Sequence, residues 1–600
     1  MLGIILNKIF QLLSMPDQIS KPHTANPSQD LFNKLIKIYQ LGQISKAERM
    51  SRKLLKKFPK SPAVMSILGA TLVSQGKFKN ALHAYNKIIQ LDPNHAETYF
   101  NRGIVFQKLR QFQDSIDSYG QAIKLKPNYP QAFNNRGYAL QELDNLDQAI
   151  DNYTQAVLLK PDYAEALYNT GVAFQTLEKF QDSIDSYNRA IKLQPNYPQA
   201  FNNRGYALQE LGNLDQAIDS YNQAILLKPD YFEAYYNQGS ALEDLRKIDE
   251  AINSYTKAIQ TKKNDVEARW NLSLLLIMTG DLKNGWQEYE FGKLTDKKDR
   301  RLVQTPYPLW KGENLSEKEI LITAEQGIGD EIMFASIIPE FEHLAEKVVI
   351  ECAMKLALIF QWAFPWAEVK ETGPVKCEHI AYYNEFDYQI PSGSIARFFR
   401  RSIADFEHKQ KPFIPRLKQG EKKVRDNLKL TDNQLLIGLC WRSSLQTVER
   451  NIHYLEVEEL APLKAIKNAT FLAVQYDDCL PELDRVRDLG LSIHYYTNID
   501  QKGDLGSTCA LLGACDLVIS AATAAAQMAA ALGVPTLIFS PTGHFKKTFQ
   551  AKRIPWHPTI QFLELHPYHH DRLLDQILKN FPTYIDWANR VTSSHRRVML

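Results

Sequence analysis

Six hundred residues exceed what one hydrophobic core can hold, so several domains are expected. A net charge of +3 gives no electrostatic basis for binding nucleic acid, which needs a strong basic patch. No run reaches the roughly 18 apolar residues of a membrane span, and a cytoplasmic setting is expected.

The first 13 residues are apolar apart from a few positions such as Lys8, and no small-residue cleavage site follows. A short amphipathic helix is expected in the segment 1–27 in place of a signal peptide. The six cysteines contain no Cys-x-x-Cys pair, which favours reduced thiols over zinc ligation or disulfides.

From 28 to 293 the chain repeats itself. Gly69, Gly103, Gly137, Gly171, Gly205 and Gly239 stand 34 residues apart, and Pro59 to Pro229 and Tyr85 to Tyr255 keep the same period. A small residue in a first helix, a tyrosine in a second and a proline that ends it resemble the tetratricopeptide repeat. About eight repeats are expected, stacked as an α-solenoid with atypical end units. The units 130–163 and 198–231 are nearly identical, so the array resembles a product of pairwise duplication.

One polar column runs through the array. Asn33, Asn101, Asn135, Asn169, Asn203, Asn237 and Asn271 occupy the same repeat position, and Ile67 alone interrupts them. An amide offers both a donor and an acceptor, which suits a peptide backbone whatever its side chains. The column resembles the asparagine ladder of the O-linked N-acetylglucosamine transferase repeat domain. That resemblance implies that Asn101, Asn135, Asn169, Asn203, Asn237 and Asn271 bind a protein acceptor. Bonding only to the next helix is the alternative.

The period ends in a polar, proline-bearing linker, 294–319. Beyond it, candidate strands at 320–324, 347–350, 435–440, 470–474, 516–520 and 536–539 alternate with helical stretches, which implies parallel sheet with helices on both faces. Two lobes are expected, 320–415 and 430–590, divided around the charged run 418–425.

The segment Ala324-Glu-Gln-Gly-Ile-Gly-Asp-Glu-Ile-Met-Phe-Ala335 places a glycine turn and an acid between a strand and a helix. With Leu439-Cys-Trp-Arg442, with Arg450-Asn-Ile-His-Tyr-Leu, and with Cys515-Asp-Leu-Val-Ile-Ser running through Gly533-Val-Pro535, it resembles the heptosyltransferase-like domains of glycosyltransferase family 9. The resemblance covers most of 305–585. It implies an α/β fold of two Rossmann-like lobes, called GT-B, with the site in the cleft.

Transfer of a sugar from a nucleotide sugar needs a base for the acceptor hydroxyl and a cradle for the leaving diphosphate. The resemblance gives the base role to Asp330, also readable as a helix N-cap, with Glu325 and Glu331 as fallbacks. Arg442 and Arg450 are candidate diphosphate ligands, because guanidinium grips phosphate in two-pronged fashion. Thr523 opens a helix whose free N–H groups suit phosphate, and Ala524 allows close approach. Gln527 stands where the family usually has histidine, and Ala522 where it usually has an acid. His544 and the Trp556-His557-Pro558 turn are expected to border the cleft. His569-His570 lacks a partner at metal-ligand spacing, so no metal site and no cofactor are expected beyond the nucleotide sugar itself. The expected function is metal-independent glycosyl transfer to a protein held by the repeat groove. A non-catalytic scaffold with a degenerate transferase domain is the alternative.

Overall fold

The computed structural model describes residues 26–292, 305–325, 327–371, 386–406, 411–431, 433–443, 454–540, 556–565 and 571–598. Arg450, His544, His569, His570 and the apolar N-terminal stretch lie outside the described residues. The chain divides into two compact units, Met1–Leu245 and Arg246–Leu600.

The first unit is helical throughout its described residues. Helix pairs follow one another as Gln29–Gln40 (α1) with Ile44–Lys57 (α2), Pro62–Ser74 (α3) with Phe78–Leu91 (α4), and Ala96–Lys108 (α5) with Phe112–Leu125 (α6). Then come Pro130–Gln141 (α7) with Leu146–Leu159 (α8), Ala164–Thr176 (α9) with Phe180–Leu193 (α10), Pro198–Glu210 (α11) with Leu214–Leu227 (α12), and Phe232–Asp244 (α13). The repeated glycine has a local purpose. A Cβ on Gly171 would sit 2.6 Å from the ring of Tyr187, and one on Gly103 would sit equally close to Tyr119. The tyrosine therefore fills the space that glycine leaves inside its own repeat. Its hydroxyl donates to a glutamine at the end of the first helix, as Tyr187 does to Gln175 at 3.0 Å. Gly171→Ala is expected to cost about 1–3 kcal/mol through overpacking, somewhat offset by alanine's better helix propensity. A lowered thermal midpoint, partly recovered by adding Tyr187→Leu, would verify this.

The second unit begins with three more helices, Ile248–Thr261 (α14), Val266–Thr279 (α15) and Leu282–Gly292 (α16). The first sheet holds Glu319–Thr323 (β1), Lys347–Cys352 (β2), Glu368–Glu371 (β3) and Tyr388–Pro391 (β4) in the order β3-β2-β1-β4. Helices Ile328–Ala335 (α17), Met354–Ala363 (α18) and Ala396–Phe399 (α19) belong with it. Helix Lys418–Asn427 (α20) precedes the second sheet. That sheet holds Leu435–Cys440 (β5), Ala469–Ala473 (β6), Ile493–His494 (β7), Leu517–Ala521 (β8), Thr536–Ser540 (β9) and Ile560–Glu564 (β10), in the order β10-β9-β8-β5-β6-β7. Its helices are Leu480–Asp488 (α21), Leu505–Ala514 (α22), Ala524–Ala531 (α23) and Asp571–Val598 (α24). Every pairing is parallel. Read outward from its first strand, each sheet reverses direction between its first and fourth strands, as doubly wound sheets do.

Both faces of the second sheet are covered. Along β5 and β8, Leu436, Cys440 and Val518 pack into one cluster, while Ile437, Leu439, Leu517 and Ile519 pack into another. Such strands read as continuous apolar runs, which made them recognisable.

The charged run 418–425 forms helix α20, which buries Val424 and pairs Arg425 with Asp516 at 3.1 Å. The compact units divide at 245/246, upstream of the linker 294–319, and helices continue to Gly292. Helix α16 explains this, because Trp286 and Tyr289 join the same core cluster as Ile332, Phe334 and Phe341 of the first sheet's layer. Trp286 also donates its indole N–H to the carbonyl of Arg400 at 2.8 Å. Among the described residues, no helix is long and apolar enough to cross a membrane.

Candidate functional site

In the first unit, a groove of about 490 Å³ is lined by side chains of the first helix of successive repeats. Asn101, Asn135 and Asn169 line it, with Phe100, Tyr129 and Tyr138. The amides are not all free. Asn169 donates to Asn134 at 3.0 Å, Asn203 to the hydroxyl of Tyr168 at 3.1 Å, and Asn237 to Asn202 at 3.1 Å. Asn135 donates to Tyr119 and, in the second unit, Asn271 donates to Tyr255. Five of the seven asparagines thus tie their repeat to the preceding one. Each NH₂ group carries two protons, so the groove-lining amides keep a second N–H. Rings add flat apolar surface. Phe100 and Tyr129 pack at 4.9 Å between centroids, and Tyr168 and Tyr197 repeat that pairing at 4.9 Å. The sequence reading missed these pairs, although aromatic residues at 100, 168 and 236, two repeats apart, are visible in it.

In the second unit, the places of interest are the loops at the carboxyl ends of β1, β5 and β8. Ligands of doubly wound sheets bind where strand order reverses. After β1, Gly327 is the N-cap of α17, with an extended φ of −91°. Asp330 is therefore not the cap. It lies in the first turn, half-buried, where a carboxylate is favoured by the helix dipole. The two fallback acids are committed elsewhere. Glu325 is fully buried and accepts from the hydroxyl of Tyr289 at 2.9 Å and from the N–H of Gly393 at 3.1 Å. Glu331 is buried and accepts from the N–H of Ala353 at 2.9 Å.

After β8, Thr523 is the N-cap of α23, yet its side chain does not cap the helix. Its hydroxyl lies 3.2 Å from that of Ser520 and 3.5 Å from the sulfur of Cys440. Burial pushes the Cys440 thiol up to about 11, so it stays protonated. The first-turn N–H groups of α23 are thus left without a side-chain cap, the arrangement that suits an anion. Gln527 is buried in the same helix, and its Oε1 has no hydrogen-bond partner among the described residues. The turn after β1 reaches this helix start. A Cβ on Gly329 would lie 3.5 Å from the Cα of Ala524.

After β5, Arg442 departs from expectation. Its guanidinium is held by Asp477 and by Glu482, the latter at 2.7 Å, and it is nearly buried. Burial disfavours its charge, but the Glu482 and Asp477 carboxylates outweigh that and hold its pKa above the usual arginine value. Phosphate would have to compete with two carboxylates for it. His557 differs from expectation too. It is buried against Phe413, its Nε2 has no partner among the described residues, and burial lowers its pKa to about 3. Trp556 packs edge-on against Phe334 and Trp286. Neither side chain borders an open surface, since each is 1% exposed.

The helical unit is of the tetratricopeptide class. Tetratricopeptide repeat models match residues 130–163, 198–231 and 232–265, and a further TPR repeat model matches 69–109, 111–144 and 176–212. The chain is 29% identical over 300 residues to Protein FlbA of Caulobacter vibrioides, a match that takes in 48% of this chain and 50% of that protein. The chain thus spans about half the length of that curated relative. Among solved structures, MamA is 26% identical, covering 27% of this chain and 95% of MamA with a TM-score of 0.26. A tetratricopeptide repeat protein from Parabacteroides merdae is 17% identical, covering 41% of this chain and 98% of its own, with a TM-score of 0.34.

Proposed function

We propose that the chain is a metal-independent GT-B glycosyltransferase, working in the cytoplasm, whose repeat groove holds a protein acceptor. The observation that supports this most directly is the approach of the acid-bearing turn after β1 to the uncapped start of α23 after β8. One element offers a carboxylate and the other offers N–H groups, the two demands of glycosyl transfer. In this reading the acceptor hydroxyl attacks the anomeric carbon and passes its proton to Asp330. The bond from that carbon to the diphosphate oxygen breaks, and the charge left on the diphosphate is met by the N–H groups at Ala524 and its neighbours. Gln527 supplies an acceptor for a hydroxyl of the donor sugar, and Arg450 supplies a cation for the diphosphate.

A second reading, a protein-binding scaffold with a degenerate transferase domain, draws on the capture of Arg442 by Asp477 and Glu482. Calorimetry of the whole chain against UDP, GDP, ADP and CMP separates the two. Saturable binding of one nucleotide, weakened by about 1.5–3 kcal/mol in Arg450→Ala as for a lost charged hydrogen bond, is expected. Binding of none of the four would move the assignment to the scaffold.

A further inference from the structure

The groove of the first unit carries an ordered set of charges that amides and rings do not account for. Each groove-lining helix has one position near its start and one near its end that recur at the 34-residue period. The start positions hold Glu97, Gln131, Glu165, Gln199 and Glu233, and the end positions hold Lys108, Glu142, Thr176, Glu210 and Asp244. Glu97 is taken by Lys126 at 3.0 Å. From there on, Glu142, Glu165, Glu210 and Glu233 supply acids on alternating sides of the groove, and Asp244 adds a second acid at the far end of the helix that carries Glu233. All four glutamates are exposed, and none is in an ion pair among the described residues. Glu142 and Glu165 line the groove itself. The near-identity of 130–163 and 198–231 sets Glu210 as Glu142 is set, each beside a tyrosine one turn earlier (Tyr206 and Tyr138).

Helix stability does not ask for this pattern. An acid in a first turn is favoured by the helix dipole, but Glu142, Glu210 and Asp244 sit at helix ends, where the dipole disfavours negative charge. Partial desolvation and the charge of Glu210 also hold the Asp244 carboxyl above its ordinary range, against a hydrogen bond from Gln209. Among the described residues none of these carboxylates is in an ion pair, although Lys108 and Arg110 also line the groove, so each can take a further cation.

The spacing says what kind. Neighbouring helices pack about 8–10 Å apart, close to three residues of extended chain at about 3.3 Å each. Residues three apart on an extended strand point to opposite sides. A cation at every third residue would therefore meet carboxylates on alternate sides, in the order in which the repeats present them. The two ends of a groove helix, eleven residues apart, are about 16 Å from each other, which leaves room for a backbone and a long side chain on either side.

We propose that the groove selects an extended basic segment of a partner protein, with lysine or arginine at about every third position. This rests on the reading of the groove as a polypeptide site. The groove amides hold the backbone, and the alternating acids set the side-chain register.

The test uses the full chain and labelled synthetic peptides of about a dozen residues, followed by fluorescence anisotropy. One peptide has lysine at every third position in a serine and glycine background. A second has the same lysines contiguous, a third has glutamate in their place, and a fourth has asparagine. The spaced-lysine peptide is expected to bind most tightly, and more weakly as salt rises. Glu142→Gln with Glu210→Gln, and separately Glu165→Gln with Glu233→Gln, should each weaken it about tenfold without altering the thermal midpoint. Equal binding of the lysine and glutamate peptides, or unchanged affinity in both double variants, overturns the charge rule alone. Equal binding of spaced and contiguous lysines overturns the register. Failure of every peptide, the asparagine one included, overturns the polypeptide site on which the proposal rests.

Discussion

Asp330→Asn is expected to abolish sugar transfer while leaving the fold and donor binding nearly unchanged. The substitution keeps the size of the side chain and its place in the first turn of α17. It removes the only property the reaction would draw on, the capacity to take a proton. General-base groups contribute about a hundred- to ten-thousand-fold to rate, so a loss in that range is anticipated. Glu325 and Glu331 are not positioned to take over, because both are buried and spend their oxygens on Tyr289, Gly393 and Ala353. The measurement is incorporation of a radiolabelled sugar into lysate protein, using a donor that carries the base identified by calorimetry. Full transfer by the variant would remove Asp330 from the reaction.

Arg442→Ala should produce the largest loss of stability of any single substitution near the sheets' carboxyl ends. The guanidinium neutralises Asp477 and Glu482, which keep side-chain exposures of 22% and 18%. Removing it leaves two neighbouring carboxylates facing each other in a poorly solvated place, and Trp441 still donates its indole N–H to Glu482 at 2.6 Å. Breaking a buried ion pair costs about 3–5 kcal/mol, and the partial exposure puts this case near the lower figure. Urea unfolding would show the loss as a lower midpoint. Arg442→Lys should fall between, since lysine keeps the charge but not the two-pronged geometry. A variant that unfolds like the parent yet no longer binds nucleotide would instead make Arg442 a ligand.

Different parts of this chain were readable to different depths. The 34-residue period carries the helical array because each repeat solves the same packing problem, glycine against tyrosine, with local residues. The strands of the second unit were readable where both faces are buried, as in β5 and β8. They were not read at β3, where Glu368, Lys370 and Glu371 occupy an edge, at β7, which has only two residues, or at β4 and β10. The site was less legible than the fold. Arg442 as a free phosphate ligand looked reasonable because its partners lie 35 and 40 residues downstream, beyond any local pattern. The N-cap after β1 was misplaced at Asp330 because the helix starts earlier, on a glycine with no side chain to cap it. The burial of His557 followed from neighbours such as Phe413 that sequence distance conceals.

The attachment of α16 has a consequence for how such a chain could be reshuffled. Exchange of one repeat array for another is often pictured as a cut in the linker. Here a cut there would strip Trp286 from its place against Trp556 and Tyr289 from Glu325, leaving an apolar hole beside a stranded carboxylate. A graft that respects the chemistry would cut between repeats upstream of α16, so that Trp286 and Tyr289 stay with the α/β portion. The last repeats would then travel with that portion as part of its inheritance, while the units before them remain exchangeable for arrays of other length and charge.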